Sequence, residues 1–438
     1  MQLIMLGSVI GAWSQVTPSG FAKLDEWTST YRKNNKNAMG YPTNFVGQLD
    51  DFYKWYTSNH ICDEMVNNAG NPFDENLSKL SALSFEREVI EWFAPFYGYA
   101  ADDVWGIVTM SGTDGNNHGI YFGVNYIREK NGAMPIVYVS DEAHYSNFRL
   151  CDLQNLEVRL VKSNEMGQMI PDELEKALDT SRPAVVVYAM GSTFKGAIDD
   201  MKALNEVLNR HPEMKVYRHV DAALFGGYLP FTKFKDLVNQ EKMEFVSICV
   251  SGHKFFGIDD PSGLFLTKAD VYANQNSFDI EYLNNSMKMI NCSRSGASPL
   301  KFWWLIQSVG EQGWSKQAND IMEKTAYLKQ ELERIGWPCW HNEYSNTVFF
   351  KRPSKELQEK YILANGYDKR FGGELSHIVV MQHTEKTVID KFIADLQSTT
   401  GINAASASTP AMTQKYMQGN EVLVLNGNNT YTVSGTRR

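Results

Sequence analysis

The chain is predicted to fold as an α/β protein, with a mostly parallel central sheet and helices on both faces. Three observations support this. Short apolar, β-rich runs recur at 134–140 (MPIVYVS), 183–190 (PAVVVYAM), 215–224 (KVYRHVDAAL) and 245–251 (FVSICVS). Helical segments lie between them, PDELEKALDT (171–180) and MKALNEVLNR (201–210). Strand, helix, strand at this spacing is the pattern of parallel strands joined by crossover helices. Finally, 438 residues with 43% apolar and 21% charged composition can bury a large core shared by two or three compact units.

In chain order, residues 1–15 (MQLIMLGSVIGAWSQ) form an apolar run without the basic start of a secretory signal, and they are not read as one. No stretch reaches the ~18–20 apolar residues of a membrane span. Residues 20–95 read as helical, with polar and apolar residues mixed (FAKLDEWTSTYRKN, SFEREVIEWFAPFYG). The alternating strand and helix pattern fills roughly 100–300. Residues 301–336 read as one long helix. NTVFFKRP (346–353), a helical stretch, SHIVVMQH (376–383) and KTVIDKFIADLQ (386–397) predict a small α+β unit. After residue 400, EVLVLNGNNTYTV (421–433) carries Asn-Gly between two β-prone runs, a hairpin signal. The expected division is an N-terminal helical segment (1–95), a large α/β unit (96–300), a small α+β unit (301–400) and a tail (401–438).

Charge narrows the partners. With 42 basic and 51 acidic residues the net charge is −9, which argues against nucleic acid, because phosphate backbones demand a basic face. The five cysteines are scattered and show neither a disulfide framework nor metal-ligand spacing, so no metal is expected and a reducing cytoplasm fits best.

Candidate chemistry sits where strand-like runs end, since ligands of parallel sheets bind beyond the carboxyl ends of the strands. VTMSGTDGNNHG (108–119) enters a helix through small and hydroxyl residues. It is either a plain helix cap or a phosphate site on outward backbone N–H groups. His144 follows a strand end and two acids in SDEAHYS; it is either structural or an imidazole placed on a flat ligand. Gly191-Ser192-Thr193 puts hydroxyls at the mouth of the sheet, or forms a polar turn. Asp221 in HVDAAL needs a partner if buried, either a protein group or a cationic ligand nitrogen. Lys254 in SGHKFFG follows the most apolar strand. It either snorkels to water or is a desolvated amine, a nucleophile toward carbonyls. Alone, each signal is ambiguous. Together they describe one ligand, pyridoxal 5′-phosphate: phosphate donors, a ring-stacking imidazole, a carboxylate for the ring nitrogen and a Schiff-base lysine.

From about residue 38 to 398 the chain resembles the group II pyridoxal-phosphate-dependent amino-acid decarboxylases of fold type I. The branch holding bacterial histidine decarboxylases and plant serine decarboxylases is nearest. The matching stretches include GYPTNF (40–45), NPFDENLSKLSALSFEREVIEWFA (71–94), WGIVTMSGTDGNNHGIYFG, SDEAHYSNFRL, GSTFKGAIDD, HVDAALFGGYLPF, VSGHKFFG and SNTVFFKRP. The resemblance implies that Lys254 binds the cofactor covalently, His144 stacks on its ring and Asp221 meets its ring nitrogen, with Ala223 beneath the ring. It implies phosphate contacts from Gly112, Thr113, Ser251 and His253, and a hydroxyl from Thr193 near the phenolic oxygen. It further implies a homodimer with the site at the subunit interface, and decarboxylation of an L-amino acid to the amine.

Three departures stand out. Asp114 occupies a position where this branch usually has glutamate. GIDDPSG (257–263) sets Asp259 and Asp260 close to the site, where they could favour a basic or polar substrate or simply be solvated. Met287, Met289 and Cys292 replace the usual acid, threonine and glycine before Ser293-Arg294. Contact of that segment with substrate would change the side chain accepted, or turn the reaction toward decarboxylation coupled to deamination.

Overall fold

The computed structural model describes residues 16–75, 77–128, 132–280, 285–399 and the strand residues 413–418, 421–426 and 429–432. One seven-stranded sheet holds β1 (Val104–Thr109), β2 (Ile136–Ser140), β3 (Val158–Val161), β4 (Ala184–Ala189), β5 (Val216–Asp221), β6 (Ser247–Ser251) and β7 (Gly263–Lys268). The four predicted apolar runs are β2, β4, β5 and β6. The strand order is β1-β7-β6-β5-β4-β2-β3. The five strands from β6 through β3 run parallel. Strand β7 is antiparallel to both β6 and β1. Like β3, it was not among the predicted strands. The 252–262 link is short and holds no crossover helix, so the chain can only turn back beside β6. β1, β2, β4 and β6 are buried at every position, as strands covered on both faces must be.

The N-terminal region is less helical than its composition predicts. It holds α1 (Pro18–Asn35), α2 (Asp50–Ser58) and α3 (Leu83–Phe93), with mostly irregular chain over 59–82, where NNAGNP (67–72) supplies turn residues. Helix α4 (Gly112–Ile127) lies directly on the sheet. A Cβ at Gly119 would stand 2.2 Å from the His219 ring, and one at Gly115 would stand 2.6 Å from Cys249 Sγ. Glycine at these positions therefore permits the contact. Helices α5 (Tyr145–Leu153), α6 (Pro171–Ala177) and α7 (Met201–Asn209) complete the crossovers.

The predicted long helix at 301–336 is two helices, Ala297–Ser308 and Gly310–Arg334. The break falls at Gly310, whose φ of +60° an L side chain resists. Beyond it a four-stranded antiparallel sheet joins Cys339–His341, Thr347–Lys351, Gly373–Val379 and Ala364–Asp368, backed by the helix Lys386–Thr399. Two of these strands, Cys339–His341 and Ala364–Asp368, escaped the sequence reading because neither is a continuous apolar run. In the tail, Glu421–Asn426 pairs antiparallel with Asn429–Thr432, as the Asn-Gly signal predicts, and Thr413–Gln418 adds a third strand. Residues 1–15 and the hairpin turn at 427–428 lie outside the described residues. Among the described residues no helix is long and apolar enough to cross a membrane.

A buried ion pair ties the irregular N-terminal chain to the sheet. Glu86 on α3 and Arg294 are both inaccessible, and Arg294 Nη2 lies 3.0 and 2.9 Å from the two Glu86 oxygens. Glu86 Oε1 also accepts from the Val108 N–H at 2.8 Å, on the free edge of β1. Glu86 Oε2 accepts from Asn68 Nδ2 at 2.8 Å. Arg294 further donates to the Gly70 carbonyl at 3.2 Å. Every polar atom of the carboxylate is thereby matched. Arg294→Met strands Glu86 as an unpaired buried charge, and the expected loss is about 3–5 kcal/mol. It is read as a lower urea midpoint; an unchanged midpoint contradicts this account of the pair.

Candidate active site

The carboxyl ends of β5 and β6 and the amino end of α4 come together. Ser111 caps α4: its Oγ accepts from Asp114 N–H at 3.1 Å, and its carbonyl accepts from Gly115 N–H at 3.0 Å. The amides of Gly112 and Thr113 are left without a described protein acceptor, pointing outward at the positive end of a sixteen-residue helix. That donor set fits a phosphate. A Cβ at Gly112 would stand 2.4 Å from Ser251 Oγ and 3.5 Å from Ala223 Cβ. Ser251 N–H donates to the Ala223 carbonyl at 2.9 Å. Gly112, Ala223 and Ser251 are thus brought into contact.

Asp114 works inward, on this loop. Its oxygens accept from Met110 N–H at 2.9 Å and from Asn291 Nδ2 at 2.7 Å. Burial acts to raise its pKa, but bonds from His118, Met110 and Asn291 outweigh it and hold the carboxyl below the usual range. His118 Nδ1 donates to the Asp114 carbonyl at 2.9 Å, and its Nε2 accepts from Ile290 N–H at 3.3 Å. The off-pattern segment is therefore pinned to the start of α4. Met287 and Met289 are buried in the core with Trp105, Phe122 and Phe265, so these two departures are packing residues; Cys292 is exposed.

Asp221 closes β5 and is buried. Its Oδ2 accepts from Asn147 Nδ2 at 2.9 Å, and its Oδ1 lies 3.4 Å from Ala223 N. Two residues earlier on the same strand face stands His219. Its Nε2 donates to Asn116 Oδ1 at 3.0 Å and its Nδ1 accepts from the Ser247 hydroxyl at 2.8 Å. Burial pushes the His219 pKa down to about 4 against the pull of Asp221, so the imidazole beneath the carboxylate is neutral at pH 7. Cys249, the β6 register partner of Asp221, directs its thiol to the Gly112 carbonyl at 3.0 Å.

Lys254 follows β6 by three residues. It makes no hydrogen bond or ion pair with any described residue. The residue as a whole is half-buried. Burial drives its pKa below the ordinary lysine value, opposed by the negative charge of Asp221. Beside it, His253 Nδ1 donates to the Ser262 carbonyl at 3.1 Å. Desolvation, then the charge of Lys254, lowers the His253 pKa.

His144 is the N-cap of α5; its Nδ1 accepts from Ser146 N–H at 3.3 Å and lies 2.7 Å from Ser146 Oγ. It reaches the cluster through its own helix, which carries Asn147. Thr193 stands exposed in the turn after β4. Lys195 is buried under that turn. Its amine bonds Glu142 Oε1 at 2.7 Å and Asp368 Oδ2 at 2.6 Å, joining the His144 loop, the Thr193 turn and the small sheet. Asp259 and Asp260 stay partly exposed, and both are already paired with a protein cation. Lys301 Nζ binds them at 2.7 and 2.6 Å, and Tyr53 donates to Asp259. Asn147, His219 and Lys195 were missed by the sequence reading. Only Asn147 left a signal there, three residues after His144 and so on the same helical face.

A phosphate-ready helix start, a buried carboxylate over a neutral imidazole, and an uncommitted amine define the class: an α/β enzyme that holds pyridoxal 5′-phosphate. The family profile described as pyridoxal-dependent decarboxylase conserved domain matches residues 125–337. Serine decarboxylase 1 of Oryza sativa subsp. japonica is 31% identical over 380 residues, covering 84% of this chain and 74% of that protein. Histidine decarboxylase of Pseudomonas entomophila is 29% identical, covering 86% and 90%. Among solved structures, L-methionine decarboxylase from Streptomyces sp. 590 shares the fold, with a TM-score of 0.74 at 21% identity over 88% of this chain and 95% of that one. The chain belongs to the pyridoxal-dependent decarboxylase family. It is a carboxy-lyase that decarboxylates an amino acid with pyridoxal 5′-phosphate as cofactor.

A lowered pKa leaves more of the Lys254 amine neutral at mildly alkaline pH than an exposed lysine has. In the cofactor-free protein, the pH midpoint for acetylation of Lys254, followed by peptide mass spectrometry, is expected below the ordinary ~10.4. A midpoint at or above that value contradicts the desolvated amine.

Proposed function

We propose that Lys254 is the covalent anchor of the cofactor aldehyde, with Asp221 at its ring nitrogen and His144 over its ring. In this reading the Gly112 and Thr113 amides, with Ser251 and His253, hold the phosphate. Ala223 lies beneath the ring and Thr193 beside the phenolic oxygen. The observation that carries the reading is Lys254 itself, a desolvated amine without a described partner, within the field of Asp221. Bound there, pyridoxal 5′-phosphate supplies the electron sink for the pair left as carbon dioxide departs. The chain's own residues do the rest. Lys254 offers a nucleophilic neutral amine. Asp221 presents a carboxylate to a cationic nitrogen, undisturbed by His219, which carries no charge at neutral pH. The helix start orients the phosphate end, and Asp114 keeps that loop in shape.

The proposed substrate is an L-amino acid with a small polar or imidazole side chain, supported by the serine and histidine decarboxylases among the relatives. The proposed assembly is a homodimer with the site at its interface. Helix α1 supports this, since it buries none of its residues while exposing Phe21, Leu24, Trp27 and Tyr31. Met110 and Tyr145 add exposed apolar surface beside the phosphate loop and His144. The proposed location is the cytoplasm, consistent with five free cysteines.

Borohydride reduction of the cofactor-loaded enzyme is expected to leave a pyridoxyl mass on the Lys254 peptide; a label on another lysine overturns the assignment. Asp221→Ala is expected to retain some cofactor but to lose about a thousandfold in carbon dioxide release, ~4 kcal/mol at about 1.4 per tenfold. A loss under tenfold contradicts its role. Screening the common amino acids for carbon dioxide and amine identifies the substrate; aldehyde and ammonia without amine overturn simple decarboxylation.

A further inference from the structure

We infer that Asn147 is a positioning residue for Asp221, whose side-chain amide fixes the carboxylate so that its other oxygen is left for the cofactor's ring nitrogen. The inference rests on the reading that Asp221 serves that nitrogen. Asn147 is fully buried, and its Nδ2 donates to Asp221 Oδ2 at 2.9 Å. The amide orientation is chemically forced, because a carboxylate only accepts and the reverse orientation would set two oxygens face to face. Among the described residues, Asn147 Oδ1 has no hydrogen-bond partner. A buried amide with an unmatched oxygen is a poor packing choice compared with an apolar side chain of similar size. Its N–H therefore has a task that an apolar residue could not perform.

No other described neighbour offers Asp221 an equal bond. Ala223 N is 3.4 Å from Oδ1. Both nitrogens of His219 are engaged, with Asn116 and Ser247. The Cys249 thiol points to the Gly112 carbonyl. A neutral donor orients the carboxylate without cancelling its charge, whereas a cation at this place would compete with the ring nitrogen. Asn147 N–H also bonds the His144 carbonyl at 3.1 Å, so one helical turn carries both the ring-facing imidazole and the clamp on the carboxylate.

The test is a double-mutant cycle on cofactor binding, read by quenching of tryptophan fluorescence in cofactor-free protein titrated with pyridoxal 5′-phosphate. Asn147→Val is expected to raise the dissociation constant about tenfold in the wild-type background and to leave it unchanged in Asp221→Ala. Asn147→Ser runs through the same cycle, so a folding failure of the valine variant, seen in its urea midpoint, does not end the test. Equal effects with and without Asp221 overturn the inference and make Asn147 merely structural. A wild type that fails to bind the cofactor overturns the underlying reading, and the inference with it; binding with additive effects overturns the inference alone.

Discussion

The site depends on one electrostatic arrangement: an amine and a carboxylate held near each other at the ends of neighbouring strands without pairing. Desolvation disfavours the ammonium of Lys254, and the field of Asp221 restores only part of what burial takes away. Elsewhere in this protein buried cations are fully matched, Lys195 by Glu142 and Asp368, Arg294 by Glu86. Lys254 is the exception among these, and an uncommitted amine is what a carbonyl cofactor needs. Among the described residues Asp221 likewise has no cationic partner, with a neutral amide on one oxygen and a neutral imidazole beneath.

The fold makes this arrangement affordable in structure. Parallel strands end together at one edge, so residues far apart in sequence meet there. Small residues bring α4 down onto β5 and β6 and place its unpaired amides next to Ser251 and Ala223. The same close approach puts Asn116 in reach of His219. Asp114 then fastens the loop and the 290–291 segment together, a job for which the shorter acid has sufficient reach. The small sheet is locked against the Thr193 turn by the Lys195 network and by Phe194 stacked on His377.

Much of this was legible in the sequence, for physical reasons that can be named. Continuous apolar runs announced β2, β4 and β6 because strands buried on both faces have no polar side; β5 was legible despite Arg218 and His219. Lys254 and Asp221 stood out because charge is costly in such surroundings. Strand β7 and the break at Gly310 were not legible: the first follows from a link without a crossover helix, the second from one backbone angle. The meaning of Asp259 and Asp260 depended on Lys301, over forty positions away in sequence, and the burial of Met287 and Met289 depended on packing against Trp105 and Phe265. Such pairings carry no local pattern. Asn147 lies between, since its helical spacing from His144 was visible while its partner was not.

The most direct test is optical. Purified cofactor-free protein is mixed with pyridoxal 5′-phosphate, and its visible spectrum is compared with that of the free cofactor. The account predicts a new visible band in the wild type that is absent in Lys254→Ala. A wild-type spectrum identical to that of free cofactor, or a band that survives loss of the Lys254 amine, contradicts it.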